Sequence, residues 1–260
     1  MPRIGNIYGH GFDKAQISLM ERLGFSIRPQ VSTYAGAQEC RFIDFEKGPC
    51  LELVEVRSRK EYLDFVPEGM RPYCPGIAVV LSKDSEKDLP TFAREFGEWH
   101  PYALHENYDG TSDPGKPGWN YLNFGTPVVP DVFIWLTTID EPRPARAPIP
   151  THANGVSGIL GLVFDLESSA LKRLAELVGE DPVDGVFDIG GVKVWSRKVM
   201  RDFPMTEGKS FPLRAVVLKA GSLDHFRTHA EDATETSFMS RRALHIATNG
   251  LSWDLLIVQQ

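Results

Sequence analysis

Short apolar runs recur along the chain, and several of them are followed by apolar residues at helical spacing. The run from Gly76 to Leu81 consists of small and β-branched apolar residues, which is typical of a buried strand. Apolar positions then continue at helical offsets to Gly97, as Leu89, Phe92, Ala93 and Phe96. This order predicts a strand, a turn and a helix that ends at a glycine.

The same pattern returns later, which indicates an internal repeat. Gly158 to Val163 predicts a strand, and a helix follows from Ser169 to Val178 before Gly179. In both copies the Gly-Ile pair stands 21 residues before the closing glycine. The same count back from Gly24 reaches Arg3-Ile4, so a third copy is predicted at the start, with a helix from Lys14 to Leu23.

The ends of two copies also match. Gly48 to Val56 and Gly250 to Val258 share a glycine, two spacers, a large apolar residue, a carboxylate and an apolar tail, which predicts a turn into a strand. A looser fourth copy has a strand at Leu213–Leu218, a short helix at Leu223–Ala230 and a closing hairpin at Arg241–Val258. The repeat therefore predicts four units, at about residues 1–66, 72–140, 152–200 and 211–260.

A proline-rich segment divides these units into pairs. Residues 140–150 contain four prolines in eleven positions, which favours a stiff, extended connector. We therefore predict an N-terminal domain at residues 1–147 and a C-terminal domain at 151–260, with two units in each. Residues 107–118 have the Gly, Pro and Asp content of a long surface loop, either a functional lid or a plain insertion.

Charge and composition restrict the classes of partner. The 260 residues carry 28 basic and 35 acidic side chains, a net charge of −7, which repels nucleic acid and anionic lipid. No apolar run approaches the ~20 residues that cross a bilayer, and the start does not resemble a signal peptide, so we expect a cytoplasmic protein. The three cysteines, Cys40, Cys50 and Cys74, are expected to be reduced thiols.

Two short motifs and the repeat together resemble the vicinal oxygen chelate superfamily. They are the helix end Arg22-Leu-Gly-Phe25 and the last strand Gly48-Pro-Cys-Leu-Glu-Leu53. Thr151-His-Ala-Asn-Gly-Val156 further resembles an element of a glyoxalase-like subfamily. The resemblance implies an α+β fold of four βαβββ modules, forming two glyoxalase/extradiol-dioxygenase-like domains whose curved mixed sheets hold a metal or a substrate.

The resemblance also implies where metal ligands would lie. Metal sites in the superfamily take His or Gln from first strands and Glu from a fourth strand, a set that suits Fe, Zn, Mn or Ni. Glu52 holds the fourth-strand position. His152 and His245 could each supply an imidazole ligand if the local geometry differs from the pattern of the superfamily. The first strands depart from the pattern, because their expected ligand positions are Arg3-Ile4, Gly76-Ile77, Gly158-Ile159 and Leu213-Arg214. One divalent metal therefore remains an open expectation.

Period-two alternation on the last strands of the first and fourth units shows which face each candidate acid occupies. Glu52 shares a face with Val54 and Val56, and Asp254 falls on the corresponding face of its own strand. A carboxylate held among apolar neighbours must be solvated, paired or metal-bound, so the alternative is a face that meets water. Glu52 and His152 are the candidate catalytic residues, Glu52 and His245 the candidate metal ligands, and Asp254 a candidate substrate contact.

Other aromatic and histidine residues are weaker candidates. Trp119, Tyr121 and Trp135 either line a pocket for a flat ligand or belong to the core. His225 and His229 have chelating spacing but fall off the apolar face of their helix, and His10 lies in a predicted corner after the first strand.

Two functions fit these observations. The first is a small-molecule enzyme of the vicinal oxygen chelate type, with lyase, isomerase or dioxygenase chemistry that a metal could assist. The alternative is a metal-free protein of the same fold that binds or sequesters a small, partly aromatic compound. The partner is a small molecule in both, and the sequence is compatible with a homodimer.

Overall fold

The computed structural model describes residues 2–11, 15–28, 32–34, 38–66, 68–81, 97–103, 117–124, 127–139, 151–197, 206, 210–248 and 251–260. Its helices are α1 (Ala15–Arg22), α2 (Arg59–Phe65), α3 (Ser168–Leu177) and α4 (Leu223–Arg227). The first eight strands are β1 (Arg3–Gly11), β2 (Ser32–Tyr34), β3 (Gln38–Ile43), β4 (Cys50–Val56), β5 (Gly76–Leu81), β6 (Gly97–Ala103), β7 (Pro117–Phe124) and β8 (Phe133–Ile139). The others are β9 (Val156–Phe164), β10 (Val186–Ile189), β11 (Val192–Ser196), β12 (Leu213–Ala220), β13 (Thr234–Phe238), β14 (Arg241–Ile246) and β15 (Asp254–Gln259).

The strands form two mixed sheets. The first has the order β2-β3-β4-β1-β5-β8-β7-β6, and the second has the order β10-β11-β9-β12-β15-β14-β13. Each predicted unit places its first strand parallel to its last, as β1 with β4, β5 with β8, β9 with β11, and β12 with β15. The α+β fold class with mixed sheets is therefore confirmed.

The helices agree with the apolar spacing where they are described. Helices α1, α3 and α4 begin and end within a few residues of their predicted bounds. The predicted helix before Gly97, the connector at 140–150 and most of the loop at 107–118 lie outside the described residues. Within residues 151–197, all of which are described, the third unit has two strands after its helix where the βαβββ pattern has three, and a bridge between Val183 and Val186 precedes them.

One large core joins helices α1, α3 and α4 to both sheets. It contains Met20 of α1, Leu51 of β4, Leu174 of α3 and Leu255 of β15, all of which are almost fully buried. Burial of apolar surface contributes about 25 cal/mol per Å², so this core is the main source of stability. No helix among the described residues is long and apolar enough to span a membrane.

A bulge at Gly5 changes the face to which β1 directs its side chains. The pairing of β1 with β5 shifts between Ile4 and Asn6, and Ile4 and Ile7 both lie in the large core. Without the extra residue, period-two alternation would place these two isoleucines on opposite faces. Ile4, at the ligand position that the resemblance implies, therefore lies in the core, and the opposite face of β1 carries Asn6, Tyr8 and His10.

Gly76 allows the ring of Tyr8 to lie over β5. A Cβ at Gly76 would stand 2.2 Å from the Phe133 carbonyl oxygen and 2.2 Å from the Tyr8 ring. We expect Gly76→Ala to lower the free energy of unfolding by about 1–3 kcal/mol, since backbone and ring must both move. Urea unfolding measures the loss. Gly221→Ala is the matched control, because a Cβ there meets nothing within 4 Å, and equal midpoints for the two variants would contradict the prediction.

Candidate functional site

The face of the first sheet that points away from the large core is rich in aromatic residues and holds a carboxylic acid. Its buried cluster consists of Tyr8, Cys40, Phe42, Cys50 and Val54, with Phe133 and Trp135 packed against it. Glu52 belongs to the same face, since it lies between Cys50 and Val54 in the alternation of β4. We call this surface, together with Asn6 and His10, the aromatic face.

Glu52 is held inside the aromatic face. Its side chain is 5% exposed, and Asn6 Nδ2 donates a hydrogen bond of 2.9 Å to its Oε2. Burial raises the pKa of Glu52, although hydrogen bonds from Asn6 and Cys40 and the charge of Arg28 oppose the shift. The acid therefore retains its proton to a higher pH than a solvated glutamate, so it is able to donate that proton and later take one back.

Arg28, whose charge opposes the rise in the pKa of Glu52, already has an anionic partner in Asp44. Arg28 Nε donates a hydrogen bond of 2.7 Å to Asp44 Oδ2, and its Nη2 bonds the other carboxylate oxygen. The guanidinium carbon lies 4.6 Å from the centre of the Phe42 ring. Because Asp44 balances its charge, this part of the aromatic face carries little net charge and favours uncharged ligands.

His10 lies on β1, two residues beyond Tyr8, and is 6% exposed. Its Nδ1 is 2.9 Å from the Cys74 carbonyl oxygen, and its ring meets the rings of Tyr8 and Tyr62 edge-on at 5.5 and 5.1 Å between centroids. Burial lowers the pKa of His10 to about 4. His10 is thus the last residue but one of β1, next to the predicted corner between strand and helix, and it is neutral at physiological pH.

Residues 58–66 and 68–75, which we call the strap, cover the His10 end of the aromatic face. The rings of Tyr62 and Tyr73 stack at 4.9 Å, and Tyr73 N donates a hydrogen bond of 2.8 Å to the Tyr62 hydroxyl oxygen. Helix α2 begins here because the Ser58 hydroxyl caps Glu61 N. Ser58 and Glu61 have capping-box spacing, so the sequence held a signal for this helix that our prediction missed.

The thiols on this side of the sheet are unreactive. Cys40, Cys50 and Cys74 are buried and form no disulfide among the described residues. Burial raises the pKa of the Cys40 thiol, and it raises the pKa of Cys74 to about 12. Since the thiolate is the nucleophile, these groups do not support covalent catalysis at neutral pH.

The corresponding face of the second sheet is filled by apolar side chains. They are Val163, Trp195, Ala215, Val217, Phe238, Ala243, Leu256 and Val258. Asp254 stands at the start of β15, where His245 Nε2 is 3.1 Å from its Oδ2 and Thr206 donates to the same oxygen at 2.6 Å. Its other oxygen accepts a bond from Thr248 N. Both carboxylate oxygens thus have protein partners, and the substrate-binding role of Asp254 stays a prediction.

His152 does not lie on the aromatic face. Its ring contacts Phe25 and Phe45, which belong to the large core, and its Nδ1 accepts a bond of 3.1 Å from Ser26 N. Burial lowers its pKa. The structure therefore places His152 and Glu52 on opposite sides of the first sheet, and a joint catalytic role has no support from their positions.

Among the residues that the structure describes, the candidate donors do not form the ligand set of the metal that the superfamily resemblance implies. Glu52 belongs to the first sheet and His245 to the second, each with other partners. Among the described residues there is no group of three His, Cys, Asp or Glu side chains that could hold a metal ion. Three protein ligands are the usual minimum for a catalytic zinc site, so we derive no reaction step through a metal.

The three predicted aromatic contacts have different outcomes. Trp135 lies on the aromatic face, with its ring 5.9 Å from that of Tyr8. Trp119 and Tyr121 lie on β7, which pairs with β8, but their side chains fall outside what the structure describes. Asn6 and Tyr62 are site residues that sequence reasoning did not name, and His10 was named only as a weaker candidate.

Comparisons with known proteins identify the fold. No protein-family model matches the chain, and no curated protein matches it. The solved structure of the 2,3-dioxygenase LapB from Pseudomonas sp. KL28 matches with a TM-score of 0.56 and 12% identity, over 99% of this chain and 92% of that one. A catechol 2,3-dioxygenase matches with a TM-score of 0.50 and 11% identity, over 99% of this chain and 87% of that one.

These neighbours are extradiol dioxygenases of the vicinal oxygen chelate superfamily. The predicted resemblance is therefore confirmed for the fold, across nearly the whole chain. Because one fold supports many chemistries, and the identity is low, the neighbours do not transfer their reaction to this chain.

Proposed function

We propose that this protein is a small-molecule enzyme with the fold of the vicinal oxygen chelate superfamily, in which Glu52 transfers a proton to or from the substrate. The observation that carries the proposal is a carboxylic acid with a raised pKa, buried on the aromatic face beside Asn6. Perturbed acids of this kind concentrate at functional sites. Asn6 orients the carboxyl group through its hydrogen bond to Oε2.

Proton transfer favours lyase or isomerase chemistry over the dioxygenase option. Both reactions need a group that donates a proton at one atom or removes it from another, which a buried glutamic acid supplies. A dioxygenase needs a redox-active metal, for which the described residues offer no ligand set. Glu52 therefore takes the role of general acid or base in this proposal.

The surroundings of Glu52 indicate the class of substrate. The rings of Tyr8, Phe133 and Trp135 contact one another edge-on at 5.8 to 6.0 Å. Phe133 and Trp135 are the part of this cluster that is only half-buried. Since Asp44 balances Arg28, an uncharged, flat or partly aromatic molecule matches this surface better than an anion.

The second candidate is a metal-free binding protein of the same fold. The close packing of the aromatic face favours it, since Tyr8, His10 and Glu52 are each less than a tenth exposed. A binding protein would hold its ligand through the half-buried rings and would not change it chemically.

Three further statements remain proposals. The division into domains at residues 140–150 agrees with two sheets that use strands from Arg3 to Ile139 and from Val156 to Gln259. The cytoplasmic location and the homodimer rest on the sequence, and cell fractionation and the sedimentation of the purified protein would test them.

Hydrogen–deuterium exchange at carbon tests the proposed function. Small aromatic compounds that carry a C–H bond next to a carbonyl are incubated with the protein in D₂O and followed by proton NMR. We expect protein-dependent loss of the signal of that C–H for at least one compound, because proton abstraction precedes exchange. Saturable binding of such compounds without exchange or any other chemical change would contradict the enzyme proposal and favour the binding protein.

A further inference from the structure

The contact between His10 and the strap determines which of the two ring nitrogens of His10 can accept a proton. The nearest polar atom to His10 Nδ1 is the Cys74 carbonyl oxygen, at 2.9 Å. A carbonyl oxygen only accepts hydrogen bonds, so Nδ1 must carry the proton and donate. In the neutral ring Nε2 then carries the lone pair, and it is the atom that can accept a proton.

His10 and Glu52 lie close together on the same face. Tyr8 is the direct neighbour of Glu52 across the β1–β4 pair, and His10 is the neighbour of Val54, one same-face position further along. A strand spacing of about 4.8 Å and a rise of about 3.3 Å per residue place the two backbones roughly 8 Å apart. Both side chains therefore extend from neighbouring strands onto the same face, and Tyr8 is next to each of them in the register.

Among the described residues, the groups that contact His10 are tyrosine rings and a backbone carbonyl. They belong to Tyr8 of β1, Tyr62 of α2, and Tyr73 and Cys74 of the strap. Burial raises the pKa of Tyr8, Tyr62 and Cys74, so these groups stay uncharged at neutral pH. Desolvation lowers the pKa of His10 to about 4. The aromatic face thus holds an uncharged imidazole near a carboxylic acid whose pKa is raised by burial.

We propose that His10 is a second proton-transfer residue of the aromatic face, acting through Nε2 while Nδ1 anchors the ring to the strap; this inference rests on the proposed function of Glu52. His10 Nε2 takes the proton of a substrate C–H bond, whose electron pair stays on the substrate. Protonated Glu52 delivers its proton to a second atom of the same substrate. The pair becomes imidazolium and carboxylate, and proton exchange with water after product release restores both groups without an oxidant or reductant.

Chemical labelling tests whether Nε2 is reachable, without any substrate. Diethyl pyrocarbonate acylates unprotonated imidazole nitrogens, and peptide mass spectrometry locates the label. We expect native protein to be labelled at His10, with little change in rate between about pH 7 and pH 5, because burial holds the pKa of His10 at about 4. Absence of label at His10 until the protein is unfolded would overturn the proposal, since Nε2 would then be closed to substrate.

His10→Asn separates the anchoring role from the proton-transfer role. The amide nitrogen of Asn can replace Nδ1–H as donor to the Cys74 carbonyl, but no atom replaces Nε2. We expect carbon-bound deuterium exchange to fall at least about 100-fold in this variant while the unfolding midpoint changes little. If exchange is lost in Glu52→Gln but proceeds at the wild-type rate in His10→Asn, the proposed role of His10 is wrong, and the proposed role of Glu52 stands. If wild-type protein catalyses no exchange, the proposed function fails, and the labelling result still decides whether Nε2 is accessible.

Discussion

Glu52→Gln is expected to lower the rate of carbon-bound deuterium exchange by roughly 10²- to 10⁴-fold, the usual contribution of a general acid or base. Glutamine has nearly the same shape and keeps an oxygen that can accept the bond from Asn6 Nδ2, so the side chain should stay in place. It cannot gain or lose the proton at that oxygen. Steady-state exchange rates measured by NMR on the same compound check this expectation.

The stability of the same variant provides an independent test through its pH dependence. Because burial raises the pKa of Glu52, ionisation in the folded state costs free energy. The contribution of neutral Glu52 to the free energy of unfolding is fully present below the pKa that Glu52 has in the unfolded chain. It is lost as pH rises through the higher pKa that Glu52 has in the folded protein. We therefore expect Glu52→Gln to gain stability relative to wild type as pH rises above about 4.5. Urea unfolding across this range measures the difference.

Glu55→Gln is the matched control for both measurements. Glu55 lies on the same strand but alternates to the opposite face, where it pairs with Arg57 at 3.2 Å. We expect exchange to remain at the wild-type rate in this variant. Equal activity losses for Glu52→Gln and Glu55→Gln would mean that the effect comes from strand β4 as a whole, and the assignment of Glu52 would fail.

Trp253→Ala is expected to lower the free energy of unfolding by about 3–5 kcal/mol, the usual cost of deleting a buried tryptophan. The ring is fully buried, and its Nε1 donates a hydrogen bond of 3.2 Å to the Tyr8 carbonyl oxygen. A Cβ at Gly9 would lie only 2.7 Å from Nε1, so the indole contacts the backbone of β1 directly. The loss of stability should therefore include strand β1, which carries Tyr8 and His10.

Trp195→Ala separates this local effect from general destabilisation. Trp195 is of equal size and nearly as buried, but it packs within the apolar face of the second sheet. Both variants should lose stability, whereas amide hydrogen exchange of β1 should increase more in Trp253→Ala. Equal exchange of the β1 amides in the two variants would show that Trp253 does not support the aromatic face.

The sequence by itself determined the features that depend on local periodicity. The repeated spacing from Gly-Ile to a closing glycine predicted α3, and the alternation on β4 placed Glu52 opposite Leu51 and Leu53. These predictions hold because side-chain direction along a helix or strand follows from its geometry alone. The α+β fold class followed from the order of these elements.

Only the tertiary structure decided which residues surround Glu52. One extra residue at Gly5 reverses the faces of β1 after Ile4, so Asn6 and His10 join the aromatic face, although the resemblance had implied ligand positions at Arg3-Ile4. A strand's register and bulges are set by its partners, β4 and β5, which are distant in sequence. The placement of His152 beside Phe25 and the burial of Asp254 with His245 likewise depend on contacts between distant segments. Periodicity assigns a residue to a face, but packing between elements decides what that face meets.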